Sequence, residues 1–129
     1  MEVHVVSPER ELWSGQAEMV VAKGIEGDVG ILPGHAPMLV ALAIHPVRIL
    51  REGGEQIVLV DGGFLHVVPG EETTRVDVLA EHAALPDEID AAAARARADD
   101  LQRRMGDEGQ TGAQAELAKA LMRAEHGSG

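Results

Sequence analysis

Turn-forming residues are spaced one way in the first two thirds of this chain and another way after it, and the switch near Leu85 constrains the fold more than any other feature. Before it, short apolar or alternating runs are broken by glycine, proline and acidic pairs, which is how strands and turns read. Val3 and Val5, Met19 and Val21, then Val76 and Val78 alternate with polar neighbours and predict half-buried strands. Residues 38–44, 57–60 and 64–68 are nearly continuous in apolar character, which suits strands covered on both sides or lying at a subunit contact. Turn signals at residues 24–30, Gly53-Gly54, Gly62-Gly63 and Pro69-Gly70 divide this part into roughly eight to ten short strands. A two-sheet sandwich over residues 1–84 is the economical arrangement.

From Leu85 the texture is helical. Pro86 suits a first helical turn, Asp87, Glu88 and Asp90 favour the positive end of a helix, Arg103 and Arg104 favour its negative end, and Gly106 is placed to close it. After a polar connection over residues 107–112, a second helix is expected over residues 113–124, with Leu117 and Leu121 one turn apart. The expected fold is therefore an all-β sandwich (1–84) followed by an antiparallel two-helix hairpin (85–129). The first helix is alanine-rich, with Ile89, Leu101 and Met105 as its larger apolar groups, so the hairpin is held by little buried area and can move without unfolding the rest.

Composition excludes several functions. A formal charge of −11 over 129 residues opposes nucleic-acid partners and anionic lipid surfaces, which need clustered cations. There is no cysteine for a disulfide or a thiolate metal site, and with an aromatic content of 2% there are no stacking platforms for bases. The start of the chain lacks the basic and apolar segments of a signal peptide, and no stretch approaches ~20 apolar residues, so no membrane crossing is expected. Lys23 is followed by Gly24 rather than by a serine or threonine at a helix start, and Gly24, Gly27 and Gly30 do not have dinucleotide-loop spacing. The 6 histidines show no paired ligand spacing, and neither Ser7, Ser14 nor Ser128 stands in a nucleophile setting. Clustered acids at residues 87–90 have an ordinary electrostatic reason to open a helix. The chain is expected to be non-catalytic, with no cofactor and no metal.

One stretch is more specific: Ile25-Glu26-Gly27-Asp28-Val29-Gly30-Ile31-Leu32-Pro33-Gly34-His35-Ala36-Pro37-Met38-Leu39. It resembles the signature segment of the epsilon subunits of bacterial F-type ATP synthases. Val5-Val6-Ser7-Pro8, Leu12-Trp13-Ser14-Gly15, Asp61-Gly62-Gly63-Phe64-Leu65 and Val78-Leu79-Ala80-Glu81 fall in the order that family shows, and Glu88-Ile89-Asp90 and residues 115–120 are similar more loosely. The resemblance implies a rotor subunit of the central stalk that couples rotation to ATP synthesis. By it, the sandwich grips the gamma subunit and sits on the c-subunit ring, and the protein lies at the cytoplasmic face of the bacterial plasma membrane, touching the membrane only through that ring. Glu26, Asp28 and His35 become candidate contacts to the c ring, with Pro33 and Pro37 restricting the backbone around His35. The hairpin is expected to engage the alpha/beta catalytic head transiently and inhibit hydrolysis, with Lys119 and Arg123 on one face as candidate contacts.

Some members of that family bind ATP on the folded hairpin. The corresponding positions here are Glu81, Ile89, Asp90 and Ala94, but Ala93 stands where the motif has arginine, and Arg95 lies about 200° around the helix from it. Weak or absent ATP binding is expected. A free-standing ligand-sensing sandwich is the alternative that fits the architecture, though it leaves the signature segment unexplained.

Overall fold

The structure is a computed structural model describing residues 1–108 and 112–127. Eight strands precede the helices: β1 (Glu2–Val6), β2 (Glu11–Gln16), β3 (Met19–Gly24), β4 (Gly27–Ile31), β5 (Met38–Arg51), β6 (Gly54–Val68), β7 (Arg75–Ala80) and β8 (Ala83–Ala84). A 3-10 turn (Pro86–Glu88) leads into α1 (Ala91–Glu108) and α2 (Gly112–His126). The chain divides into two compact units, Met1–Ala84 and Leu85–Gly129.

The strands form one hydrogen-bonded path in the order β2-β1-β7-β6-β5-β3-β4, with β8 added beside β6. Every pairing is antiparallel except β1 with β7. Strands at both ends of the path bury one face: Val3 and Val5 in β1, Val76 and Val78 in β7, and Val20 in β3 are fully buried, as is Ile31 in β4. A single open layer would leave those faces wet, so the path folds over on itself as two layers with the valine and isoleucine side chains between them. Each such side chain contributes about 1.5–3 kcal/mol when removed from water.

Three features of the strands differ from the sequence reading. The strands are not uniformly short, because β5 and β6 run 14 and 15 residues as one long ribbon. Within it Val58, Leu59 and Val60 are buried in succession, which accounts for the unbroken apolar run there. In β3 the core face carries Val20 and Ala22 rather than Met19 and Val21. The register pairing Val20 with Ile49 and Ile31 puts it inward. Gly62 and Gly63 are not a turn but lie inside β6 at φ of 94° and 127°. A Cβ on Gly63 would run into the Leu79 carbonyl oxygen, so β6 and β7 can approach there only with glycine.

The hairpin unit packs through Ala98, Leu101 and Ala120, with Leu117 and Leu121 against them. Alanine at this seam lets the two backbones come close. The α-helix begins later than Pro86: that residue opens the 3-10 turn instead, closed by the Glu88 amide on the Leu85 carbonyl at 3.0 Å, while the Leu85 amide donates to the Glu88 carboxylate at 2.8 Å. Asp90 then caps α1, its Oδ1 accepting the Ala93 amide at 3.0 Å. Gly106 does not end α1, which continues to Glu108, and Arg103 and Arg104 both pair with Asp100, at 3.7 and 3.2 Å. The side chain of Met105 and residues 109–111 of the expected connection lie outside the described residues.

Candidate partner-binding face

Between β3 and β4 the chain turns over two residues, Ile25 and Glu26, with Gly24 opposite Gly27. Gly24 is required by contact, since a Cβ there would meet Val40 Cγ1 at 2.8 Å and the Gly27 carbonyl oxygen at 2.9 Å. The Ile25 amide donates to the Ala41 carbonyl at 2.9 Å and so fixes the turn against β5. This arrangement closes one side of an open groove of about 500 Å³ whose other walls include Met38, Leu39 and Phe64.

The groove is apolar and unusually wet. Ile25 is 69% exposed, Leu39 65% and Phe64 50%, and Leu79, the register partner of Phe64 on β7, is exposed as well. On the other side Phe64 pairs with Ala41, whose small side chain leaves the ring standing proud of β5. A sheet face turned to water ordinarily alternates to polar residues at its outward positions. Large apolar side chains gathered on such a face mark a contact surface.

The candidate c-ring residues divide between two places. Glu26 and Asp28 line the rim of the groove, Asp28 opposite Lys23 in register. His35 is not among the groove's lining residues. It is half-buried in the segment between β4 and β5, where its amide donates to the Leu32 carbonyl at 3.0 Å and its ring Nδ1 donates to the Ala36 carbonyl at 2.8 Å. The preceding Gly34 amide donates to Thr74 Oγ1 at 2.7 Å, which ties this loop to the segment entering β7.

In the hairpin unit, Lys119 pairs with Glu116 at 3.4 Å, and Arg123 is half-buried and engaged in an interaction of its own. Of the degenerate nucleotide positions, Glu81 belongs to the sandwich, its amide donating to the Gly62 carbonyl at 3.2 Å. Ile89 is half-buried, the Asp90 carboxylate is occupied as the helix cap, and Ala94 is buried. Sequence reasoning missed Ile25, Leu39 and Phe64 as site residues. The signal for Leu39 and Phe64 was present in the apolar outward positions of residues 38–44 and 64–68, but register is needed to know which positions face out.

Comparison with known proteins decides the family. Residues 1–99 match the family described as ATP synthase, Delta/Epsilon chain, beta-sandwich domain. The ATP synthase epsilon chain of Thermobifida fusca is 43% identical over 125 residues, 95% of this chain and 89% of that one. The chain belongs to the ATP synthase epsilon family. The epsilon chain of Chromohalobacter salexigens is 44% identical over 122 residues, 91% of this chain and 84% of its own. Among solved structures, a chain in the cryo-EM structure of the Euglena gracilis mitochondrial ATP synthase has the same fold, with a TM-score of 0.76 at 21% identity over 95% of this chain and 77% of that chain. As an epsilon chain the protein is a regulatory stalk subunit of ATP synthase and not its catalytic one. ATP synthesis and proton transport are activities of the complex to which it belongs. Among the described residues, no helix is long and apolar enough to cross a membrane.

Proposed function

We propose that the apolar face around the groove is where this chain grips the gamma subunit, that Glu26 and Asp28 at the groove rim and His35 in the segment between β4 and β5 contact the c-subunit ring, and that the hairpin restrains ATP hydrolysis by engaging the alpha/beta head. The protein then works at the cytoplasmic face of the bacterial plasma membrane, held there through the ring. The single observation that carries this reading is the exposure of Ile25, Leu39 and Phe64 together on one groove. Free in water these side chains contribute nothing, whereas a partner that covers them gains their burial. A rotor part also needs a stiff body to transmit torque, and the long β5–β6 ribbon supports that role.

The test is co-purification with the gamma subunit of the same organism and mass measurement of the product. A one-to-one complex is expected. Phe64→Asp should weaken it by roughly 30-fold or more, the equivalent of a hot-spot loss of about 2 kcal/mol, while leaving the sandwich folded. Removing the chain after Ala84 should leave that complex intact and raise hydrolysis by the assembled enzyme. No complex with gamma under several salt conditions would defeat the first part of the reading, and unaltered hydrolysis the last. A free-standing ligand sensor is not favoured, because the family assignment accounts for the signature segment that a sensor leaves unexplained.

A further inference from the structure

β2 is the outermost strand of the path, with β1 its one neighbour there, and their register slips between Val5 and Val6. Beside this weak edge stands His4 of β1. Its Nε2 lies 2.8 Å from Glu2 Oε1 on its own strand, and its Nδ1 lies 3.0 Å from Glu11 Oε1 on β2. A neutral imidazole carries one N–H and can donate to only one of these carboxylates, presenting a lone pair to the other. Only the doubly protonated ring donates to both at once.

We propose that His4 is a proton-operated clasp: protonated, it fastens edge strand β2 to β1 through Glu11 while also holding Glu2, and neutral, it can donate to only one of the two carboxylates, so that hold weakens. The other charged groups around it do not replace this contact. On β7, Asp77 lies opposite His4 and Arg75 opposite Glu2, but those two pair with each other at 2.8 Å. His66 on β6 is a further strand away, opposite Asp77. The uncharged Ser14 is the register partner of His4 on β2. The hydrogen bond with Glu11, followed by that with Glu2, raises the His4 pKa above its ordinary value of 6.5, against the lowering effects of burial and Arg75. A group whose folded pKa is raised contributes stability that is fully present below the unfolded value and is lost as pH rises through the folded one. The clasp therefore holds fully below 6.5 and loosens as pH rises through the raised value. This device is independent of the partner face and stands whether or not that assignment does.

The chain carries its own reporter, because its 1 tryptophan, Trp13, lies on β2 opposite Val5 with the Arg51 guanidinium 5.8 Å from the ring centroid. In the full chain, an assigned NMR titration from about pH 5.5 to 8.5 should give His4 a midpoint above 6.5, with β2 amide protection and Trp13 emission changing along the same curve. Exposed charge pairs of this kind are worth little, so protection should fall roughly two- to fivefold across the transition. Glu11→Gln should lower the His4 midpoint and shrink the Trp13 transition, and His4→Gln should make β2 protection independent of pH. The proposal is overturned if His4 titrates at or below 6.5, if β2 protection stays constant while His4 titrates, or if His4→Gln keeps the transition.

Discussion

Replacing Gly63 by alanine should be among the most damaging single-methyl changes in the sandwich. Two effects add. The residue sits at φ +127°, which side chains rarely adopt and which costs on the order of 1–3 kcal/mol. The new methyl would also overlap the Leu79 carbonyl oxygen and lie 2.8 Å from Ala80 Cα, both of them backbone of the paired strand β7. Backbone cannot swing aside as a side-chain tip can, so the overlap adds about 1–3 kcal/mol. Gly53→Ala is the control, since Gly53 has φ +80° but nothing within 4 Å of the added carbon, so it bears the conformational cost alone. The two variants should therefore differ by about 2 kcal/mol. Urea unfolding followed through Trp13 would read this as a midpoint about 1 M lower for Gly63→Ala at unchanged slope. Equal midpoints would refute the claim that close approach of β6 and β7 is what requires glycine here. Because Phe64 follows Gly63 and is opposite Leu79, the same variant should weaken the gamma complex more than Gly53→Ala does.

Other variants separate the remaining parts. Leu101→Ala removes the largest fully described side chain of the α1 contribution to the helix seam and should destabilise the hairpin by roughly 2–3 kcal/mol, seen as an earlier loss of helical signal on heating while the β signal persists. His35→Ala should leave the sandwich folded and reduce attachment to the c ring in a reconstitution assay; unchanged assembly would count against its role. Isothermal calorimetry should show weak or no ATP binding, because Ala93 offers no cation to a polyphosphate in a chain of net charge −11, and saturable micromolar binding would overturn this. Arg48 holds the Glu55 carboxyl below its ordinary value of 4.5 through hydrogen bonds of 2.9 Å across the β5–β6 ribbon. That support is present above 4.5 and is lost as pH falls through the lowered value, so Glu55→Gln should flatten the acid limb of an unfolding profile.

Much of the architecture was legible because local patterning and burial agree. Val3, Val5, Val76 and Val78 alternate in sequence and are fully buried in the structure, so period alone identified their strands and their inward faces. Alanine-rich segments with Leu117 and Leu121 one turn apart read as helices for the same reason, and those leucines do lie against the seam. Patterning failed where neighbouring strands supply the deciding contact. Met19 and Val21 alternate as well as any strand residues do, but pairing with β4 and β5 turns Val20 and Ala22 inward instead. A Gly-Gly pair reads as a turn, but the nearness of β7 makes Gly62-Gly63 a feature of a strand interior. Gly106 reads as a stop, but α1 continues through it.

The candidate face follows the same division. The strand-rich part, the two helices after it and the segment of residues 25–39 that carries the family likeness are written in local order, because each depends on residues near one another in the chain. The sequence also sets which side chains are apolar. That Ile25, Leu39 and Phe64, drawn from a turn and two strands, share one exposed groove, and that His4 stands between carboxylates of two strands, follows from the pairing of strands distant in the chain. Both depend on register, and a shift of one residue would turn the strand side chains Leu39, Phe64 and His4 to the opposite face.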